Sequence, residues 1–135
     1  MLDANGAPVI DDFGLVRDLE APSLTQSWAI RGPGTPFYAP PEQLNNEKDL
    51  IDWRADQFSL AVAITLITFG AHPYEKQGMS IAELVEAVAT RSGPTDKFIA
   101  AAQGAHLAPL VKMVAPWPVS RYRTPALLTA AWGTP

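Results

Sequence analysis

The chain has 135 residues, of which 47% are hydrophobic and 18% are charged, and this length and composition predict one globular domain with a hydrophobic core. Its net charge of −4 provides no basic field for nucleic acid or anionic lipid, so neither is expected as a partner. No cysteine is present, which excludes disulfide frameworks and thiolate metal sites.

The first residues predict a small β-hairpin. Asn5-Gly6 is a strong turn signal, and apolar residues flank it at Met1-Leu2 and Pro8–Ile10. The second strand would deliver Asp11 and Asp12 at its end. Residues 15–42 then show no sustained periodicity, which predicts a long loop, and loops of that length in compact domains are usually functional.

The rest of the chain predicts helices. The first is apolar nearly all round, which is typical of a helix buried on most faces, and Gly70 is placed to end it. The second carries a capping box formed by Ser80 and Glu83, and the last begins with Thr124-Pro125 as an N-cap and first-turn pair. These helices cover residues 53–69, 80–89, 107–114 and 124–132. The predicted fold is mainly α, with about four to five helices behind the hairpin.

The location of the protein follows from what the sequence lacks. The start has neither the basic nor the apolar region of a secretory signal. The longest apolar run, residues 58–71, is too short to span a bilayer and contains polar residues. A cytoplasmic protein without a membrane segment is therefore expected.

Two groups of residues carry a resemblance to a known family. Asp12-Phe13-Gly14 is followed, after a polar stretch, by Gly34-Thr35-Pro36-Phe37-Tyr38-Ala39-Pro40-Pro41-Glu42. That order resembles the activation segment of a protein kinase, which runs from a metal-binding DFG triplet to an APE anchor. Pro40 stands where the family has the alanine of that anchor.

Landmarks further along extend the resemblance over nearly the whole chain, residues 1–135. Asp56 lies in a segment that resembles the start of the family's central helix, Gly70 to Tyr74 resembles the turn after it, and Arg121 resembles the arginine that pairs with the anchor glutamate. The chain is thus similar to the C-terminal lobe of a eukaryotic-type Ser/Thr protein kinase, an ATP-dependent transferase. The resemblance implies a mainly α lobe with a long activation-segment loop.

The resemblance also implies roles for single residues. Asp12 would hold magnesium against the phosphates of ATP, with Phe13 and Gly14 beside it in the nucleotide site. Glu42 and Arg121 would form a buried or half-buried ion pair. Asp56 would accept backbone hydrogen bonds from the catalytic loop. The substrate-binding residues would be Gly34, Thr35, Pro36 and Tyr38.

Each of these residues also has a plainer interpretation. Asp12 can be a solvated turn residue, and the Gly34–Tyr38 stretch can be an ordinary proline-rich turn. Glu42 and Arg121 can be exposed charges, which is the commoner state of both residue types. Asp56 can be a favourable charge at the start of a helix.

The polar part of the predicted activation segment carries three candidate phosphorylation sites, Ser23, Thr25 and Ser27. Arg17 and Arg31 lie near them in the sequence. A phosphate added there could order the loop through charge-assisted hydrogen bonds with these arginines. The alternative is an unmodified polar loop.

Other kinase landmarks do not occur in the 135 residues: there is no Gly-rich phosphate loop, no Val-Ala-Ile-Lys lysine and no His-Arg-Asp catalytic loop. The resemblance therefore predicts a kinase fragment that does not catalyse phosphoryl transfer alone and does not bind ATP and Mg²⁺ stably. Its expected partners are protein substrates or the missing part of the kinase domain. The predicted central helix, apolar all round, should then expose an apolar patch. Two alternatives remain open, a non-catalytic kinase-like interaction module and an unrelated helical domain.

Overall fold

The computed structural model describes residues 3–7, 9 and 36–133. These residues form six α-helices and two short 3-10 turns, and no strand occurs among them, so the mainly α fold predicted from the sequence is confirmed. The helices are α1 (Pro41–Leu44), α2 (Arg54–Phe69), α3 (Ile81–Ala89), α4 (Asp96–Gly104), α5 (Pro109–Met113) and α6 (Pro125–Gly133). The 3-10 turns span Lys48–Leu50 and Pro118–Ser120.

The predicted turn at the N-terminus is present. The Asp3 carboxylate accepts hydrogen bonds from the amides of Asn5 and Ala7, both at 2.8 Å. These bonds lower the pKa of Asp3. Gly6 has a φ of +80°, a conformation that glycine adopts without a steric penalty. The two strands expected on either side of this turn fall almost wholly on residues outside those described.

Local signals set the ends of α2. The Asp52 carboxylate accepts a hydrogen bond from the backbone N–H of Arg54 at 2.8 Å and so pairs one of the free donors of the first turn. At the other end, Gly70 has a φ of +69° and donates its N–H to the carbonyl of Leu66 at 2.9 Å. This is the glycine-terminated helix end that the sequence predicted.

Capping also sets the starts of α3 and α6. Ser80 and Glu83 form the predicted capping box, in which the Ser80 N–H donates to Glu83 Oε2 at 2.8 Å and the Glu83 N–H donates to Ser80 Oγ at 3.3 Å. Thr124 Oγ1 accepts a hydrogen bond from the Leu127 N–H at 3.2 Å, and Pro125 follows as the first residue of α6. Both predictions are confirmed.

Helix α4 was not among the predicted helices. Thr95 caps it by accepting a hydrogen bond from the Phe98 N–H at 3.2 Å, and Asp96 places a negative charge in the first turn. Phe98 and Ala102 are buried in the core, four residues apart and hence on one face. The cap and the acidic first turn were readable in the sequence, but only two buried positions mark the apolar face.

The core lies between α2 and α5, with α3 and α4 closing it. Tyr74 anchors the loop after α2, since its hydroxyl donates to the carbonyl of Val114 at 2.8 Å. Burial raises the pKa of this phenol. The buried hydrophobic residues of the core are Phe58, Ala61, Val62, Tyr74, Leu84, Val88, Phe98, Ala102, Leu110, Met113 and Val114.

Helix α2 is exposed along one face, so the prediction that it is buried on most faces was too strong. Leu60 is 52% exposed and Ile67 is 86% exposed. They lie seven residues apart, which places them on the same side of the helix two turns apart. Apolar residues of α2 therefore face outward on this side in the part of the chain that the structure describes. None of the helices among the described residues is long and apolar enough to cross a membrane.

Candidate functional site

Glu42 and Arg121 form a buried bidentate ion pair. Arg121 Nη1 donates to Glu42 Oε1 at 2.6 Å, and Nη2 donates to Oε2 at 3.0 Å. Both side chains have no exposed surface. The two residues are 79 positions apart in the sequence, and the structure brings them together as the resemblance implied. The fork of two parallel hydrogen bonds is the strong geometry for an arginine and a carboxylate.

Backbone carbonyls complete the surroundings of Arg121. Its Nε donates to the carbonyl of Ala115 at 2.9 Å, and Nη1 also donates to the carbonyl of Arg54 at 3.0 Å. The guanidinium lies 5.0 Å from the ring centroid of Phe58. A buried charge is costly unless it is paired and hydrogen-bonded, and here the cation has four hydrogen bonds. The pair thus joins α1, the start of α2 and the loop before α6 at one point.

The Pro36–Tyr38 turn lies against α2. The N–H of Ala39 donates to the carbonyl of Pro36 at 3.3 Å, and Ser59 Oγ on α2 donates to the carbonyl of Tyr38 at 3.0 Å. Phe37 is half-buried, whereas the Tyr38 side chain is 39% exposed. The helix therefore holds the main chain of this turn and leaves the tyrosine ring at the surface.

His72 packs behind this turn. It is 2% exposed, and its ring centroid lies 5.2 Å from that of Phe37 in an edge-to-face arrangement. Nδ1 accepts a hydrogen bond from the Tyr74 N–H at 3.1 Å. Burial lowers the pKa of His72 to about 4, so the imidazole is neutral at pH 7. The sequence suggested only a loop residue here; the loop is confirmed, but the side chain belongs to the interior.

Asp56 is an exposed residue of the first turn of α2, and no hydrogen bond to its side chain occurs within the described ranges. Partial burial raises the pKa of its carboxyl group. Asp56 shares the outward side of α2 with Leu60, one turn further on.

A second ion pair braces the loop that precedes Arg121. Arg91 pairs with Glu47, and its guanidinium stacks 3.9 Å from the ring centroid of Trp117. Arg91 has a φ of +58°, an uncommon conformation for a residue with a side chain. These contacts connect the end of α3 both to the loop after α1 and to the loop before Pro118.

Several residues of the site were not predicted from the sequence. Gln57 is buried and bridges α2 to Tyr122: its Nε2 donates to the Tyr122 carbonyl at 2.8 Å, and the Tyr122 N–H donates to its Oε1 at 3.2 Å. Ser59 was likewise unassigned. The available signal was a polar residue inside an otherwise apolar helix, which marks a position where a buried side chain needs a specific partner.

Other predicted site residues lie outside the described ranges. These are Asp12, Phe13, Gly14, Ser23, Thr25, Ser27, Gly34 and Thr35. Their proposed roles in metal binding, nucleotide binding, substrate binding and phosphorylation therefore stay predictions. Within the described part of the chain, no group of three or more histidine, aspartate or glutamate residues is placed to hold a metal ion.

The chain is similar to a protein kinase over almost its full length. It is 32% identical over 132 residues to the probable serine/threonine-protein kinase MARK-C of Dictyostelium discoideum. The similarity covers 98% of this chain but only 16% of that protein, so the chain spans about a sixth of the relative's length. No protein-family model and no solved structure matches the chain. The similarity supports a kinase-related origin of the chain but does not show which part of a kinase domain it corresponds to.

Proposed function

We propose that the chain is the C-terminal lobe portion of a serine/threonine protein kinase, carrying the activation segment and the substrate-facing side of the domain. The observation that carries this proposal is the buried pair between Glu42 and Arg121. The resemblance selected these two residues from the sequence. The similarity to a kinase across 98% of the chain supports the same origin.

The pair favours the proposal over an unrelated helical domain. Glutamate and arginine are seldom fully buried, and burying both requires a mutual, well-formed geometry. A chance match of short motifs gives no reason for two residues 79 positions apart to meet in this way. A kinase origin does, because both residues then belong to the anchor of the activation segment.

In this proposal the Pro36–Tyr38 turn is part of the surface that receives a protein substrate, together with Gly34 and Thr35. The hydrogen bond from Ser59 to the Tyr38 carbonyl supports it by fixing the main chain of the turn on α2. Asp12 would be the magnesium ligand, and Ser23, Thr25 and Ser27 the sites at which a phosphate could order the segment.

The isolated chain is proposed to be inactive in phosphoryl transfer. That reaction depends on positioned phosphates, metal ions and a residue that orients the attacking hydroxyl. The 135 residues contain none of the Gly-rich loop, the nucleotide-binding lysine or the His-Arg-Asp loop. ATP and Mg²⁺ would bind stably only when another polypeptide segment supplies these parts.

A radiolabel transfer assay tests this proposal. The purified chain is incubated with ATP, Mg²⁺ and a generic serine/threonine substrate protein, next to the Asp12→Asn variant as the matched control. We expect no phosphate incorporation above that of the variant, and no ATP binding at millimolar concentration by calorimetry. Transfer by the natural chain that Asp12→Asn abolishes would refute the inactivity and would make the chain an enzyme in its own right.

A second candidate, a non-catalytic interaction module, also accounts for one observation. The outward face of α2 carries Leu60 and Ile67 at 52% and 86% exposure. Exposed apolar residues that share a face are typical of protein contact surfaces. The complementing part of a kinase domain would cover this face, and so would an unrelated protein partner.

Size-exclusion chromatography with light scattering tests whether this face is a contact surface. We expect the natural chain to self-associate and the Leu60→Ser/Ile67→Gln double variant to do so less. Ile81→Gln is the matched control, because Ile81 is 68% exposed but lies on α3. A natural chain that stays monomeric and melts cooperatively would count against the proposal.

A further inference from the structure

The buried imidazole of His72 has no part in the proposed function, yet its surroundings restrict its protonation state. Nδ1 accepts a hydrogen bond from the Tyr74 N–H at 3.1 Å. A neutral imidazole has one donor and one acceptor nitrogen, so the ring hydrogen must lie on Nε2. Nε2 is buried and makes no hydrogen bond of normal geometry with the described residues, although the Phe37 carbonyl is close enough to favour a protonated ring.

Protonation is incompatible with this arrangement. An imidazolium carries a hydrogen on both nitrogens, so Nδ1 would point a donor at the Tyr74 N–H, which is itself a donor. The hydrogen bond would be lost, and a charge would be left in the interior. Such a ring has to reach water, because a buried cation without a partner is strongly disfavoured.

The neighbours of His72 differ in how easily they give way. Tyr74 is 1% exposed and is held through its hydroxyl by the Val114 carbonyl at 2.8 Å. Phe37 is only half-buried and packs at the edge of the core, and the internal backbone hydrogen bond of its turn, from the Ala39 N–H to the Pro36 carbonyl, is long at 3.3 Å. Local opening begins where few buried contacts hold the chain, which here is the side of Phe37.

We propose that His72 is an acid-operated release for the Pro36–Tyr38 turn: its protonated ring leaves the interior, and Phe37 loses the surface on which it packs. At neutral pH the uncharged ring, together with the hydrogen bond from Ser59 to the Tyr38 carbonyl, keeps the turn on α2. The inference concerns the turn itself and does not depend on the kinase origin. If the turn also receives substrate, the release makes that surface sensitive to acid.

The charged and titratable groups around His72 define the controls. On its own loop, Glu75 accepts a hydrogen bond from the His72 N–H at 3.0 Å, and both its carboxylate and the Phe37 carbonyl favour the protonated ring, although burial outweighs them. Tyr38 lies beside Phe37, with the two ring centroids 5.3 Å apart. On the far side, the charges of Arg121, Glu42 and Arg91 act on Tyr74. Glu75 is thus the group that a control must neutralise.

Amide hydrogen exchange measured by NMR between pH 8 and pH 5 on the 135-residue chain tests the release. The Ala39 amide reports on the turn, and the Thr65 amide in the middle of α2 reports on global unfolding. With a pKa of about 4 in the closed state and an ordinary histidine pKa in the open state, opening at Ala39 should increase about 30-fold, after correction for intrinsic exchange. Exchange at Thr65 should change far less.

Two variants isolate the imidazole. In His72→Asn the side-chain oxygen can still accept from the Tyr74 N–H, but the side chain does not titrate, so the increase at Ala39 should vanish. Glu75→Gln can keep its hydrogen bond to the His72 N–H and should leave the increase intact. An unchanged acid response in His72→Asn, or equal acceleration at Thr65 and Ala39 in the natural chain, would overturn the proposal.

A direct titration covers the case in which His72→Asn fails to fold. The ¹⁵N shifts of the His72 ring in the natural chain should show hydrogen on Nε2 at neutral pH. When both are followed down to about pH 3, the change in the ring shifts and the rise in exchange at Ala39 should reach their midpoints together, near the closed-state pKa of about 4. Midpoints that differ by more than about one pH unit would refute the coupling.

Discussion

Replacing Glu42 by glutamine should destabilise the protein far more than the loss of one surface charge does. Glutamine keeps the size and one acceptor oxygen but leaves the guanidinium of Arg121 without its counter-charge. The guanidinium of Arg121 has no exposed surface. In the variant, its unchanged hydrogen-bond acceptors are the carbonyls of Ala115 and Arg54. Removing one member of a buried pair costs about 3–5 kcal/mol, a large share of the roughly 5–15 kcal/mol that stabilises a typical domain.

Urea unfolding followed by circular dichroism measures this cost. With a denaturant dependence of about 2 kcal/mol per molar urea, the unfolding midpoint of Glu42→Gln should fall by roughly 1.5–2.5 M. Asp52→Asn is the matched control, because the ion pair of Asp52 with Arg54 at 2.6 Å is partly exposed: 34% of the Asp52 side chain and 23% of the Arg54 side chain are accessible to solvent. An exposed pair contributes about 1 kcal/mol or less.

The test is the comparison between the two variants. If Glu42→Gln lowers the free energy of unfolding no more than Asp52→Asn does, the contact between Glu42 and Arg121 is not a buried charge interaction and the reasoning fails. A double-mutant cycle with Arg121→Met adds a second test. The cost of Glu42→Gln should be smaller in that background by about 0.5–3 kcal/mol, the usual range for residues in direct contact. Equal costs in both backgrounds would mean that the two side chains do not interact.

Two further predictions concern the other stabilising contacts. Arg91→Ala should lower the free energy of unfolding by about 1–2 kcal/mol, because it removes the ion pair with Glu47 and the stacking on Trp117. Arg91→Lys should recover only part of this loss. A thermal melting curve of Arg91→Ala that overlays the curve of the natural chain would contradict the interpretation. Ser80→Ala should cost about 1 kcal/mol by breaking the capping box of α3, whereas Ser80→Asp, which can still cap, should cost much less; equal melting temperatures for the two variants would show that the cap contributes little.

Features governed by local chemistry were predictable from the sequence. Gly70 ends α2, the Ser80–Glu83 capping box begins α3, and Thr124 with Pro125 begins α6. Each of these signals acts within four residues, so a single sequence contains all the information needed. Helix α5 begins at Pro109, two residues later than the apolar pattern suggested, because proline lacks an N–H and suits the first turn of a helix.

Features governed by tertiary contact were not predictable in the same way. The contact between Glu42 and Arg121 was expected only from the family resemblance, since no periodicity links residues 79 positions apart. The burial of His72 and the partnership of Gln57 with Tyr122 depend on how α2 meets the loops around it. The exposed face of α2 was not predictable for the same reason. Its composition shows that the helix is apolar, but not which of its faces packs against other parts of the chain.

The contact between Ser59 and Tyr38 has a consequence for sequence variation. Ser59 Oγ binds the main-chain carbonyl of residue 38, and the tyrosine ring points to the surface at 39% exposure. Every amino acid has this carbonyl. A substitution at position 38 can therefore change the side chain at the surface while the backbone conformation of the turn is kept. Position 59 has no such freedom, because only a side chain with a donor of similar reach can replace serine. Among homologues, position 59 should therefore be occupied by serine or threonine.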